Sequence, residues 1–167
     1  LPEPTKDGYT FDGYTSLYHT APTKDIIIYK GLYADNLVFN AVYTTIIYTI
    51  TYNLNGGKNN SKNPASYTIT TADIKLQNPS RTGYTFKGWY SDSKLTKKVT
   101  TISKGSTGNK TLYAKWTVNK YNIAFNGNKN TSGSMKNLSS CKYGSSYTLT
   151  ANAFKKTGYT FNGWNTK

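Results

Sequence analysis

Apolar and polar residues alternate with a period of two in several short segments of the chain. Between Tyr48 and Leu54, every second residue is apolar, and Thr or Asn stands between them. Because a strand directs successive side chains to opposite faces, this pattern predicts a strand with one apolar face. The Asn-Gly-Gly run at 55–57 ends the strand, since Asn and Gly tolerate the positive φ of tight turns. The same alternation predicts further strands at 66–70, 83–87 and 112–116.

Breaks in the alternation predict how these strands are connected. The polar stretch 58–66 predicts a long loop that joins the first two strands into a hairpin. Gly88 interrupts the next strand, which predicts a bulge or bend that turns Trp89 back toward the core. Residues 71–79 have room for one or two helical turns between an N-capping Thr and Pro79, and an irregular crossover is the alternative.

A phrase of the form Gly-Tyr-Thr-Phe-x-Gly occurs three times and opens at Gly8, Gly83 and Gly158, at equal separations of 75 residues. Segments between the phrases also recur: 112–117 repeats 39–44, 121–128 repeats 48–56, and 146–150 resembles 66–70. Self-similarity at a fixed period indicates tandem repeats. We therefore predict the C-terminal half of a preceding repeat at 1–44, one complete repeat at 45–117, and the N-terminal half of a following repeat at 118–167.

Aromatic residues concentrate in the recurring segments. A buried aromatic side chain removes roughly 150–250 Å² from water, at roughly 25 cal/mol per Å². Three or four such side chains would supply most of the driving force for folding so small a unit. We therefore interpret them as core anchors, with a sugar-stacking platform as the alternative. The predicted structural core of the repeats comprises Tyr52, Tyr84, Phe86, Trp89, Trp116, Tyr159, Phe161 and Trp164.

The formal net charge is +14, from 21 Lys and Arg against 7 Asp and Glu, and it is unevenly distributed. Residues 1–44 carry −2, residues 45–117 carry +9, and residues 118–167 carry +7. A charge of this size favours long-range attraction to polyanions. The lysines are scattered rather than clustered in runs, so a solvated basic surface is the preferred explanation.

Residue types that carry catalysis or bind metals are scarce. His19 and Cys141, the single histidine and single cysteine, lie in different predicted repeats, and Cys141 is interpreted as a small apolar filler. Asp73 and Asp92 are the only acids of the complete repeat. We therefore predict a protein that is not an enzyme, with no catalytic residues, no metal ligands and no cofactor.

The chain has no apolar run of 18 or more residues, so membrane insertion is not expected. No basic and apolar leader opens it, and we expect a piece of a longer protein, with any export signal outside this piece. Nucleic acid is not an expected partner either, because no nucleic-acid-binding motif is present.

Three motifs in order are "YTITYNLNGG" from Tyr48, "GYTFKGWYSD" from Gly83 and "TLYAKWT" from Thr111. Together they resemble the Listeria–Bacteroides repeat, also called the internalin B-type repeat. The resemblance implies a mostly β, α+β fold of tandem small β-grasp (ubiquitin-like) units, each a mixed sheet over one short helix. It also implies secreted or wall-anchored proteins of the bacterial surface, where such repeats resemble stalks.

We accordingly expect a non-catalytic stalk or spacer and adhesion module, of an internalin-like kind, outside a Gram-positive cell. The alternative is a basic module that binds polyanionic glycans, such as teichoic acid or glycosaminoglycan, or a host receptor. Expected partners are neighbouring repeats, and the two half-repeats are expected to complement each other head to tail, since each exposes strand edges.

Overall fold

The computed structural model describes residues 1–31 and 36–166, and within them the chain forms strands and no helix. The strands are β1 (Tyr9–Ser16), β2 (His19–Thr23), β3 (Asn40–Thr45), β4 (Tyr48–Asn53), β5 (Ser66–Tyr67), β6 (Ile74–Lys75), β7 (Tyr84–Tyr90), β8 (Lys98–Val99), β9 (Thr101–Ile102), β10 (Lys110–Val118), β11 (Lys120–Ile123) and β12 (Leu138–Lys142). The prediction of a mostly β protein is therefore confirmed. The short helix is absent from the described residues.

The predicted complete repeat contains a five-stranded mixed sheet in the order β5-β4-β10-β7-β8. At its centre β4 and β10 are parallel, with Tyr52 opposite Leu112. The predicted hairpin is confirmed, because β5 pairs antiparallel with β4 and places Tyr67 opposite Tyr48. Parallel neighbours need a long crossover, and the chain between β4 and β10 supplies it with the remaining strands of the sheet.

The segment 71–79, predicted as one or two helical turns with an irregular crossover as the alternative, contains no helix and includes β6. Within it β6 pairs antiparallel with β9, and Ile74 lies opposite Ile102. The amide of Leu76 donates to the carbonyl oxygen of Thr100 at 2.9 Å. Backbone groups that a helix would bond locally therefore find partners far along the chain, which is why local propensity did not decide this segment.

The predicted first half-repeat contains a three-stranded antiparallel sheet in the order β2-β1-β3. The register of β1 against β3 shifts between Phe11 and Gly13, which is the signature of a bulge. Gly13 has φ +139°, and a Cβ there would lie 2.6 Å from the Thr23 backbone. Its counterpart Gly88 has φ +136°, so the second glycine of the phrase is required by backbone conformation in both copies.

The third copy pairs its strands in a register that the sequence repeat did not predict. Tyr121 of β11 lies opposite Cys141 of β12, as Tyr48 lies opposite Tyr67 in the complete repeat. The counterpart of β5 is therefore β12, whereas the similar segment 146–150 forms no strand. Tyr67 and Cys141 are 4% and 1% exposed, so this pairing places a buried side chain at the same position in both repeats.

The described residues group into two compact units. The first comprises 1–80 and 86–115, and the second comprises 81–85 and 116–167. The start of β7 and the end of β10 thus belong to the second unit, together with the third copy. The division of the chain into repeats at 45 and 118 remains a prediction. Most of the buried core lies in the first unit, in Phe11, Ile50, Tyr67, Trp89, Ile102, Leu112 and Ala114, whereas Cys141 is buried in the second.

Candidate functional site

The centre of the complete repeat is an aromatic cluster around Trp89. Trp89 is 2% exposed, and its ring meets those of Tyr52 and Phe86 edge to face, at centroid distances of 5.2 and 5.5 Å. Such edge-to-face pairs place the positive edge of one ring against the negative face of another. The bend at Gly88 brings Trp89 to the same interior as Phe86, although the two residues are an odd number of positions apart.

A buried asparagine closes this core from the loop side. Asn63 is 8% exposed, and its side-chain amide bonds both backbone groups of Gln77, accepting from the amide at 2.8 Å and donating to the carbonyl at 3.0 Å. Its amide nitrogen also donates to Oδ1 of Asn59 at 2.8 Å. No sequence signal marks this residue, because it lies among polar residues of a type that is mostly exposed.

Two tyrosine hydroxyls tie the core to neighbouring loops. The hydroxyl of Tyr52 donates to the Pro64 carbonyl oxygen at 3.0 Å, and the hydroxyl of Tyr67 donates to the Gly108 carbonyl oxygen at 2.5 Å. Burial raises the pKa of Tyr52 to about 12. The pKa of Tyr67 is also raised, first by burial and then by the nearby Tyr48. Both phenols are therefore protonated donors at neutral pH.

The predicted core residues of the third copy are placed differently from those of the complete repeat. Trp164 is half-buried and packs against Phe125 and Phe161, with ring centroids 4.9 and 5.0 Å away. Tyr159 is 71% exposed and Phe161 is 48% exposed, so in this structure neither occupies an interior. The physical reason is that residues 158–166 form no strand. In the other two copies the phrase lies in a strand that pairs with a closing strand later in the chain, β1 with β3 and β7 with β10.

The remaining predicted core residues, Tyr84 and Trp116, are both half-buried. The guanidinium of Arg81 lies 3.6 Å from the centroid of the Tyr84 ring. In the first half-repeat, Tyr14 takes the place of the tryptophan, and its ring packs against Phe11 at a centroid distance of 5.0 Å. A smaller ring at this position is thus accommodated by an aromatic neighbour.

Each copy of the phrase begins with the same cationic turn. The tyrosine amide donates to the carbonyl oxygen three residues earlier, at 3.0 Å in Lys6–Tyr9, 3.1 Å in Arg81–Tyr84 and 3.0 Å in Lys156–Tyr159. The intervening glycine has φ +77° or +78°, as the third position of a type II turn requires. In all three turns the opening cation lies over the tyrosine ring, within 3.6–4.5 Å of its centroid.

The acids and nucleophiles considered for catalysis have structural partners or are buried. Asp92 accepts hydrogen bonds from the backbone amides of Thr96 and Lys97, and chiefly the bond from Lys97, at 2.6 Å, lowers its pKa. Asp73 accepts from the amide of Lys104 at 2.8 Å. Cys141 is a buried free thiol, 1% exposed. Over 1–31 and 36–166, no three His, Cys, Asp or Glu residues are grouped to hold a metal ion.

Comparison with known proteins gives a family and two relatives. A family model described as the Listeria-Bacteroides repeat domain matches residues 48–115 and 121–167. Two proteins of Evansella cellulosilytica are similar: one, provisionally named a membrane protein, is 34% identical over 90 residues. The other, provisionally named a Gly-rich membrane protein, is 37% identical over 100 residues.

These matches cover 53% and 54% of this chain but only 14% and 11% of the two relatives, so the chain spans a small part of each. No solved structure matches the chain. In the described part of the chain, no helix is long and apolar enough to cross a membrane.

Proposed function

Because the chain belongs to the Listeria-Bacteroides repeat domain family, we propose that it is a non-catalytic spacer built of tandem repeats on a bacterial surface protein. The observation that carries the proposal is the threefold recurrence of the cationic glycine turn. This turn sets the backbone conformation at the start of each phrase, and no catalytic group recurs together with it. A chain that repeats structure without repeating chemistry is suited to setting a distance.

We propose that each complete unit is a variant of the β-grasp architecture. The mixed five-stranded sheet, with β4 and β10 parallel at its centre, supports this interpretation. Strand β6, which pairs with β9, lies in the segment where a covering helix was expected, 71–79. A sheet of this kind is small, so its stability depends on the few large side chains around Trp89.

We place this spacer outside the cell, on a secreted or wall-anchored protein, where it would hold an adhesive domain away from the surface. The names of the two relatives, both provisional membrane proteins, support a location at the envelope. Neighbouring repeats are the partners proposed first. Head-to-tail complementation of the half-repeats between molecules is a further proposal, motivated by β11 and β12, which within the described residues form a sheet of two strands only.

Scattering from chains of increasing length tests the spacer function. The 167-residue chain is compared with chains lengthened by one and by two further copies of residues 45–117. A spacer predicts that the maximum dimension grows by a constant increment with each copy, because each repeat contacts only its neighbours. A maximum dimension that grows only as the cube root of mass would contradict it.

A second candidate function is binding of polyanionic glycans, and a specific charge distribution favours it. Residues 93–167 contain 13 lysines and no acid. Five of these lysines, Lys120, Lys129, Lys136, Lys142 and Lys155, are exposed on the third copy. Tyr159, which is exposed beside Lys156, would add a stacking surface for a sugar ring.

Retention on heparin tests this candidate. It predicts elution at a salt concentration that falls when Lys129, Lys136 and Lys155 are replaced by Gln, because fewer counterions are released on binding. The matched control replaces Lys6, Lys24 and Lys30 by Gln in the segment of net charge −2. An equal decrease for both triple variants would point to net charge alone, and absence of retention would exclude this function.

A further inference from the structure

We propose that the glycine turn of each repeat is a docking socket for a side chain that follows the second strand of the next repeat, so that consecutive repeats are joined by a defined contact. The inference rests on the proposed tandem-repeat function and adds the partner of the turn, a side chain two residues beyond the strand-pairing position of the following copy. Exposed turns usually carry a glycine for its backbone conformation alone. In this protein the absence of a side chain at the turn glycine also leaves room for a residue of the next repeat.

The turn that contains Gly83 is covered by the ring of Tyr143. A Cβ built on Gly83 would overlap this ring, so only a hydrogen at this position leaves room for the contact. Tyr143 also meets Tyr84 edge to face, at a centroid distance of 6.3 Å. The ring therefore lies on a surface formed by a backbone without a side chain and an adjacent aromatic edge.

Backbone hydrogen bonds fix the same contact through the residue that links the two copies. The amide of Asn119 donates to the carbonyl oxygen of Gly83 at 2.9 Å, and the amide of Tyr143 donates to the carbonyl oxygen of Asn119 at 2.9 Å. The hydroxyl of Thr85 donates to Oδ1 of Asn119 at 2.6 Å. Segment 81–85 accordingly groups with 116–167 rather than with the rest of its own repeat.

The preceding copy shows the same arrangement with different side chains. The amide of Ile46 donates to the carbonyl oxygen of Gly8 at 2.9 Å. A Cβ on Gly8 would lie 2.6 Å from Cδ1 and 2.8 Å from Cβ of Ile69. Ile69 follows the pairing residue Tyr67 by two positions, as Tyr143 follows Cys141. Two joints in one chain thus use the same turn, the same linker bond and the same position of the docked residue.

The third turn provides an internal control. Gly158 has φ +78°, against +77° for Gly83, and both turns have the same tyrosine amide bond. Among the described residues other than its two chain neighbours, none has a heavy atom within 4 Å of the position that a Cβ of Gly158 would take. Substitution of either glycine by alanine therefore strains the backbone alike, and only the substitution at Gly83 also displaces a docked ring.

Trypsin cleavage after Lys120, just beyond the linker, measures opening of the joint in the 167-residue chain. Gly83→Ala and Tyr143→Ala should each accelerate it about tenfold, since cleavage follows the population of the open form. Gly158→Ala should remain within about twofold of the unmodified chain. Tyr143→Ile should also remain close to it, because Ile69 fills the equivalent position in the preceding joint.

Equal cleavage rates for Gly83→Ala and Gly158→Ala, or for Tyr143→Ala and Tyr143→Ile, would overturn the proposal. Amide exchange in β4 and β10 reports whether Gly83→Ala leaves the complete repeat folded. If Gly83→Ala unfolds the complete repeat, the comparison of Tyr143→Ala with Tyr143→Ile decides the outcome. Tyr143 is 44% exposed. Scattering from the lengthened chains tests the spacer separately, since a constant increment per repeat can persist with a loose joint.

Discussion

The indole nitrogen of Trp89 donates a hydrogen bond to the carbonyl oxygen of Gln77 at 3.0 Å. The residue that directly follows the recurring phrase is thereby tied to the segment that carries β6. The same carbonyl oxygen also accepts from Asn63, so one backbone group joins the aromatic cluster to the polar loop. A buried tryptophan normally pairs its single polar atom in this way.

Replacement of Trp89 should destabilise the protein more than replacement of an exposed aromatic residue of the third copy. We expect Trp89→Ala to cost about 3–5 kcal/mol of unfolding free energy, because the side chain is 2% exposed and leaves a cavity. Trp89→Phe should cost less, since it keeps part of the ring packing. Urea unfolding measures both values, and Tyr159→Ala, at a residue 71% exposed, should stay within about 0.5 kcal/mol.

Asn63 should be sensitive to removal of its amide group. Asn63→Ala leaves the amide of Gln77 without its side-chain acceptor at a part-buried site, at a cost of about 1 kcal/mol. The matched control Asn162→Ala alters an exposed asparagine and should cost less than about 0.5 kcal/mol. If urea unfolding gave the two variants equal stability, Asn63 would have no role in closing the core.

The stabilisation that the Asp92 carboxylate contributes should be lost in acid. Its pKa is lowered in the folded state, so its contribution is present above the ordinary aspartate value and lost as pH falls through the lower folded value. The unfolding free energy of the unmodified chain should therefore decrease more steeply below pH about 4 than that of Asp92→Asn. Denaturation followed from pH about 6 to about 2 makes the comparison, and parallel curves would contradict it.

The stabilisation that the protonated Tyr52 phenol contributes should be lost in strong base. Its pKa is raised to about 12, so its contribution is present below the ordinary tyrosine value and is lost as pH rises through the folded value. The difference in ultraviolet absorbance between the unmodified chain and Tyr52→Phe isolates this phenol among the 16 tyrosines. We expect the isolated titration near pH 12 rather than near the ordinary value of about 10, and ionisation near pH 10 would show a solvated side chain.

The positions of the main strands were predictable from the period-two alternation of the sequence. The alternation from Tyr48 matched β4, which ends at Asn53, and the segment at 66–70 contained β5. Positive φ at the end of the first strand was also predictable, and Asn55 and Gly56 have φ of +47° and +82°. These features follow from neighbours in sequence, since alternation and turn chemistry act over a few residues.

Pairing partners were less predictable, as the third copy shows. Its segment 146–150 resembles the strand at 66–70, yet the structure uses β12 and buries Cys141 where the complete repeat buries Tyr67. Tyr147 instead contacts the strand from its end, where its hydroxyl accepts from the amide of Lys142 at 2.5 Å. The two segments are similar in sequence, whereas the strand that pairs with β11 depended on which side chain fits the interior.

The sequence by itself determined that the chain repeats, that its segments are extended, and which family it resembles, a resemblance that the family match confirms. Tertiary structure alone decided that 71–79 contains a short strand rather than a helix, that Asn63 is buried, and that Tyr159 lies at the surface. The reason is the range of the interactions concerned. Strand faces and turns depend on adjacent residues, whereas burial depends on whether a partner from a distant segment is present to cover the side chain.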